Sequence, residues 1–239
     1  MEIFTQTGGE MLSRWGHYLA GVTWIGLLYY FNFVQTPSFA TFEAGPRTES
    51  VRKLVPRALW WFRWGALLTL LTGLSILAFQ DRLNDGDFYK SAQGISISTG
   101  ILLALVMFLN VWLVIWPNQK IFIANAEATA GGGEALPNAA TAARKAACAS
   151  RTNTLFSIPM LFFMGATSHF APRFDATEGG DRAIYWLVTL LLVIVFEGIA
   201  LKAPAAGAGI AKHIDDHRNT IIVGFVFWAI LMVLWEVLF

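Results

Sequence analysis

The apolar residues of this chain fall into six long blocks, several of them near the roughly 20 residues with which a helix crosses a hydrocarbon core. Glycine, proline and charge collect in the stretches between them. The pattern predicts spans over Met11–Val34, Ala58–Gln80, Gly94–Trp116, Ala147–Phe170, Ala183–Leu201 and Thr220–Phe239. The fold expected is an all-α integral membrane protein, a bundle of about six transmembrane helices forming one domain over residues 1–239. The first block reads as a retained helix rather than a cleaved leader, because Met1–Glu10 has no basic residue and no small-x-small site follows the apolar run. The longest connection, Pro117–Ala146, holds a low-complexity run over 128–137 with too little apolar bulk for a core. Gln119–Ala126 and Ala139–Ala146 are expected to prolong the third and fourth spans as a cytoplasmic helical hairpin, residues 117–146, turning at the glycines. No internal repeat is evident, so a transporter built from inverted halves has no support.

Composition sharpens this picture. Of 239 residues, 56% are hydrophobic and 14% charged, and the mean hydropathy is +0.54, whereas soluble domains carry about 25% charged residues. A soluble enzyme is excluded. With 17 basic and 16 acidic residues the net charge is +1, so the field that recruits nucleic acid is missing. The basic residues are unevenly placed. One side of the expected topology holds Arg47, Arg52, Lys53, Arg57, Arg63, Lys120, Arg144, Lys145, Arg151, Lys202, Lys212 and Arg218; the other holds Arg14, Arg82, Lys90, Arg173 and Arg182. The richer side belongs in the cytoplasm, which puts both termini outside, on the periplasmic face of a bacterial inner membrane. Cys148 is the single cysteine. It excludes an intramolecular disulfide, a cysteine-ligated iron–sulfur cluster and covalent attachment of a c-type haem.

Ionisable groups inside spans are functional candidates. His17 lies about two turns into a helix that starts outside, and His169 in the last turn of one that ends outside, just before Pro172. Both therefore belong near the outer leaflet. Gly21 and Gly165 each sit four residues deeper on the same helical face as their histidine, and a bare backbone patch beside an imidazole suits a porphyrin edge. Trp24 and Leu28 continue one stripe, and Leu161 and Phe162 the other. The spacing points to a b-type haem with His17 and His169 on its iron; the plainer alternative is two interfacial histidines bonded to carbonyls or water. Glu236 is the one carboxylate that could accompany the pair. His213 and His217 have a zinc-like spacing, but with Asp215 and Asp216 between them they read better as a solvated helix start. A second polar group collects toward the cytoplasmic side: Asn110, Arg151, Asn153 and Glu197. It is either a buried pair or hydrogen-bond knot, with Arg151 facing Glu197, or a substrate or proton site. Arg63, among Trp60, Trp61, Phe62 and Trp64, reads as snorkelling to lipid phosphates within an aromatic belt. Pro159 should kink the fourth span and free a carbonyl near Leu155.

Several of these residues form stretches that resemble a known family. Arg14–Trp–Gly–His17 with Gly21 and Trp24–Ile–Gly26, Trp116–Pro–Asn–Gln–Lys120, Ser150–Arg–Thr–Asn153, Ser157–Ile–Pro–Met–Leu–Phe–Phe–Met164 and Ser168–His169 look like the membrane domain of PuuD-type urate hydroxylases, the urate oxidase N-terminal domain. The resemblance runs through most of the chain. It implies oxidation of urate to 5-hydroxyisourate in purine breakdown, and electron transfer to a cytochrome c that follows this domain in the full-length family. Here the chain stops at Phe239 without a cytochrome c motif, so the expected acceptor is a separate cytochrome c docking from outside. Urate is anionic, and Arg14 offers it a planar donor fork. The competing expectation is a non-catalytic accessory or assembly subunit of a membrane redox or photosynthetic complex, suggested by 10 Trp, 19 Phe and short outer loops.

Overall fold

Helices occupy nearly the whole of each apolar block in the computed structural model, which describes residues 2–169 and 179–239. Phe170, Pro172 and Arg173, at the end of the fourth expected span and just after it, lie outside the described residues. Helix α1 (Gln6–Tyr29) runs through a wide-turned π-helical segment (Tyr30–Gln35) into α2 (Thr36–Thr41). After α3 (Ala44–Lys53) and α4 (Val55–Phe79) comes α5 (Ala92–Leu109), which passes through a second π-helical segment (Asn110–Ile115) into α6 (Trp116–Ala130). Then follow α7 (Ala139–His169), α8 (Gly179–Lys202), the short α9 (Lys212–Asp215) and α10 (His217–Leu238).

Caps set the starts more than hydropathy does. Thr5 accepts from the Gly8 amide, Ser91 from Gly94 and Asp216 from Asn219, so α1 begins several residues ahead of the apolar run, where side-chain oxygens satisfy otherwise orphaned amides. Four stretches are long and apolar enough to cross a bilayer: Ala44–Phe79, Ala92–Ala130, Asp181–Lys202 and His217–Leu238. This marks a multi-pass membrane protein. Helices α1 and α7 are as long, with 24 and 31 residues, but more polar. For α7 the reason is its position: it packs against α5, α6, α8 and α10, and Thr152, Asn153, Thr154 and Ser157 are all buried. A helix walled off from lipid need not be apolar.

The bundle closes through contact rather than through expulsion of water, since lipid is as apolar as leucine. α1 lies along α4, and α5 and α10 lie along α7. Trp24, Leu28, Phe62, Leu103, Met107, Phe156, Phe163, Phe227 and Leu231 fill the core. α10 comes close to α7 at Gly224. A Cβ there would lie 2.5 Å from Ile158 Cδ1 and 3.0 Å from the Leu155 carbonyl oxygen. That carbonyl is the one facing Pro159, which has no amide to offer it, so α10 covers the backbone gap that the proline opens while α7 continues through it.

Both π-helical segments precede a proline. Pro37 and Pro117 cannot donate, and their rings crowd the carbonyls four residues back; the chain responds by widening one turn, so that Thr36 N–H reaches Phe31 O and Trp116 N–H reaches Val111 O, five residues back. At the far end of α6, Gly132 adopts φ +78°, a left-handed conformation that favours glycine, and Gly133 N bonds Ala128 O at 2.9 Å. The Leu136 amide then donates to Asn125 Oδ1 at 2.8 Å. α6 and α7 are thereby joined as a helical hairpin. At the opposite end of the bundle Gln6 donates to the Phe79 carbonyl, Gln93 to that of Thr167, and Phe239 packs on Tyr185, so both chain termini lie at this end.

Candidate functional site

The polar face of α7 binds both π-helical segments. Ser150 and Asn153 are three residues apart, within one turn. Asn32, inside the first π segment, donates to Ser150 Oγ and to the Leu28 carbonyl, both at 2.9 Å. Asn110, opening the second, donates to Asn153 Oδ1 and Glu197 Oε2, both at 2.9 Å, while Asn153 Nδ2 donates to Met107 O at 2.9 Å. One turn further along α7, Ser157 meets the Tyr29 hydroxyl at 2.9 Å.

Where the two π segments and the hairpin end of α7 converge, they leave a cavity of about 200 Å³. This is smaller than the roughly 300–1,000 Å³ of drug-sized pockets, and suits one small ring system. Phe31, Phe39, Phe62 and Phe122 supply aromatic walls, and Asn32, Gln35, Gln119, Ser150, Arg47 and Arg151 the polar groups. Gln35 Oε1 and Gln119 Oε1 are both buried, and among the described residues neither accepts a hydrogen bond. A buried acceptor left without a donor costs about 1–3 kcal/mol, and both of these oxygens belong to residues that line the cavity. Arg151 keeps one contact inward, Nη1 to the Ile214 carbonyl at 2.8 Å, which fixes the guanidinium at the cavity edge.

The residues singled out by sequence divide between this region and the opposite end. Asn110, Asn153 and Glu197 do come together as a hydrogen-bond knot. The expected Arg151–Glu197 pair does not form: Arg151 turns to Ile214 O and Glu197 to Asn110. The separation is rotational, because Arg151 stands two residues, about 200°, around α7 from Asn153. Arg14 is paired with Glu10 at 2.8 Å near the terminal end, away from the cavity. Trp24 is part of the packed core. The His213–His217 spacing does not give one helical face, since the chain breaks at extended Asp216 between α9 and α10. His213 packs on Phe196 and His217 on Phe33. Asp216 caps α10, and Asp215 is bound by Arg144 Nη2 at 2.7 Å and by the Gly207 amide at 2.9 Å. Burial opposes the Asp215 charge, but these two donors outweigh it and hold the carboxyl below its ordinary range.

At the terminal end, His17 Nδ1 lies 2.9 Å from the Thr69 carbonyl and 3.2 Å from Thr72 Oγ1, with its ring against Gly73. A carbonyl on Nδ1 puts the proton there and leaves Nε2 with the lone pair, as ligating histidines require, although the same bond satisfies a purely interfacial histidine. Gly21 and Gly165 both face open space on their Cβ side. His169 is exposed in the last described turn of α7, and Glu236 is exposed on α10. Among the described residues no group of three His, Cys, Asp or Glu could hold a metal ion. His17 Nδ1 is held by α4, and no described contact joins His17 to His169.

Residues 86–233, from the loop before α5 into α10, match the family model described as urate oxidase N-terminal. The chain belongs to the urate oxidase N-terminal family. That match covers well over half of the protein and includes Gln119, Phe122, Ser150 and Arg151 of the cavity, together with Asn110, Asn153 and Glu197. No curated protein and no solved structure matches the chain. Sequence reasoning had marked Arg151 but not Gln35 or Gln119. Gln119 lies in the Trp116–Pro–Asn–Gln stretch, and Gln35 just ahead of Pro37; proximity to the two prolines was the available signal.

Proposed function

We propose that this member of the urate oxidase N-terminal family is a membrane oxidoreductase related to urate hydroxylase, which takes urate, or a purine of the same kind, into the cavity between the π segments and α7. The observation that carries this reading is the pair of unpartnered carboxamide oxygens at Gln35 and Gln119. Urate is flat, carries ring N–H donors and is anionic at neutral pH. The glutamine oxygens would accept from its N–H groups, Arg47 and Arg151 would face its charge, and the phenylalanine rings would cover its faces. Oxidation to 5-hydroxyisourate adds one water and releases two protons and two electrons, so each urate would reduce two molecules of cytochrome c. With the basic hairpin end in the cytoplasm, urate would enter from the cytoplasm, and the termini would face the periplasm, where a cytochrome c would take the electrons.

A b-type haem at the terminal end, held by His17 Nε2 and His169, would supply the one-electron transfer that links a two-electron donor to that acceptor. The chain's own contribution there is the Thr69 carbonyl, which sets the His17 tautomer.

Urate is expected to raise the unfolding temperature of the purified protein in detergent and to drive reduction of added cytochrome c. Gln35→Leu and Gln119→Leu each remove a buried orphan acceptor, so the free protein should be as stable or more so, yet the urate-induced shift should disappear. A shift that persists in both variants sinks the assignment of the cavity; a shift without cytochrome c reduction would favour the binding or accessory role.

A further inference from the structure

We propose that the lipid-facing surface where α4 meets the second π segment and α6 is a binding site for the phosphate of an anionic phospholipid. The Arg63 guanidinium lies 3.8 Å from the centre of the Trp116 ring and 6.0 Å from that of Trp112, and Lys120 Nζ lies 5.6 Å from Trp116. Stacking on an indole spreads the guanidinium flat and directs its edge outward. Neither cation has an acid: among the described residues no carboxylate pairs with Arg63 or Lys120, and Arg63 Nε is buried without an acceptor. Two cations converging on one indole, from two stretches apolar enough to cross a bilayer, call for an anion that the described residues do not provide.

The neighbouring surface says what kind of anion. Trp60, Trp61 and Trp64 are exposed beside Arg63, and indoles of this kind settle at the headgroup level. From Trp64 the stripe continues through Leu68 and Leu71, both exposed and spaced four and three residues on, along one face of α4. A headgroup phosphate at Arg63 and Lys120 places its acyl chains along these leucines, which a free phosphate cannot use. The site is separate from the cavity, so it stands or falls independently of the urate reading.

Native mass spectrometry of the full chain, exchanged with phosphatidylglycerol and phosphatidylcholine in equal amounts, tests it. Wild type should retain phosphatidylglycerol preferentially, Arg63→Gln should lower that preference about fivefold, as expected for one interfacial cation, and Arg63→Lys should fall between them. If Arg63→Gln fails to fold, Lys120→Gln, whose side chain is exposed, carries the test with a loss of the same order. Equal retention of the two lipids by wild type, or an unchanged preference in both Gln variants, overturns the proposal. So does displacement of phosphatidylglycerol by an equal concentration of glycerol phosphate, which would assign the site to soluble phosphates.

Discussion

Replacing Asn153 by alanine is the most direct test of how α7 holds the bundle together. Asn153 is fully buried, accepts from Asn110 Nδ2 and donates to the Met107 carbonyl, both at 2.9 Å. Side-chain hydrogen bonds between membrane helices average about 0.6 kcal/mol each, so the two contribute roughly 1.2 kcal/mol. Removing the carboxamide also leaves a void of about 30 Å³, worth roughly 0.7 kcal/mol at about 24 cal/mol per Å³. The expected loss is about 2 kcal/mol. The remaining partners are not stranded, since Asn110 keeps Glu197 and the Met107 carbonyl keeps the Asn110 amide, so the larger penalty for orphaned groups does not apply. Equilibrium unfolding in mixed micelles, followed by tryptophan fluorescence against the mole fraction of denaturing detergent, measures it. Combined with Asn110→Ala, the cycle should give a coupling near 0.6 kcal/mol for the shared bond. A single-variant loss below about 0.5 kcal/mol, or strictly additive effects, would refute the knot as a structural tie.

Three further outcomes follow from other contacts. Gly224→Ala should destabilise by about 1–3 kcal/mol in the same assay, the usual cost of overpacking, because its new methyl meets Ile158 and the Leu155 oxygen; Gly26→Ala, where a Cβ meets nothing within 4 Å, should not. Asp215→Asn should cost about 1–2 kcal/mol at neutral pH. The wild-type carboxyl titrates below its ordinary value, so its contribution is complete above the unfolded pKa of about 3.9. That contribution fades as pH falls through the lower folded value, and the stability difference between the two proteins should shrink over that acid limb; a difference constant from pH 7 down to pH 2 would contradict the Arg144 and Gly207 account. Finally, a reduced-minus-oxidised visible spectrum should show sharp α and β bands that His17→Ala and His169→Ala each abolish and His213→Ala leaves intact. Bands that survive both of the first two substitutions reject that ligand pair.

The helices were legible because lipid demands long apolar runs, and the hairpin because Gly131–Gly133 interrupt an alanine-rich helical stretch. The ends were less so: Thr5 and Ser91 set their helices by a single hydrogen bond each, to which hydropathy is blind. The knot of Asn110, Asn153 and Glu197 was legible as a group, because none of the three tolerates lipid. Its internal pairing was not, since depth along a helix says nothing about azimuth, and Arg151 lies on another side of α7 from Asn153. The cavity escaped altogether. Its lining includes two neutral glutamines, unremarkable in sequence, which line one cavity because each stands beside a turn that a distant proline widens.

The polarity of α7 has a consequence for how the protein is made. A segment bearing Arg151, Asn153 and several buried hydroxyls gains little by leaving the insertion machinery for bare lipid, whereas its neighbours α5 and α10 can partition unaided. Since α10 is translated after α7, α7 should linger beside the translocon, or be handed over together with α8, until α10 arrives to seal the gap at Pro159. Trimming α10 should therefore strand α7 and expose it to membrane proteases, long before any question of catalysis arises.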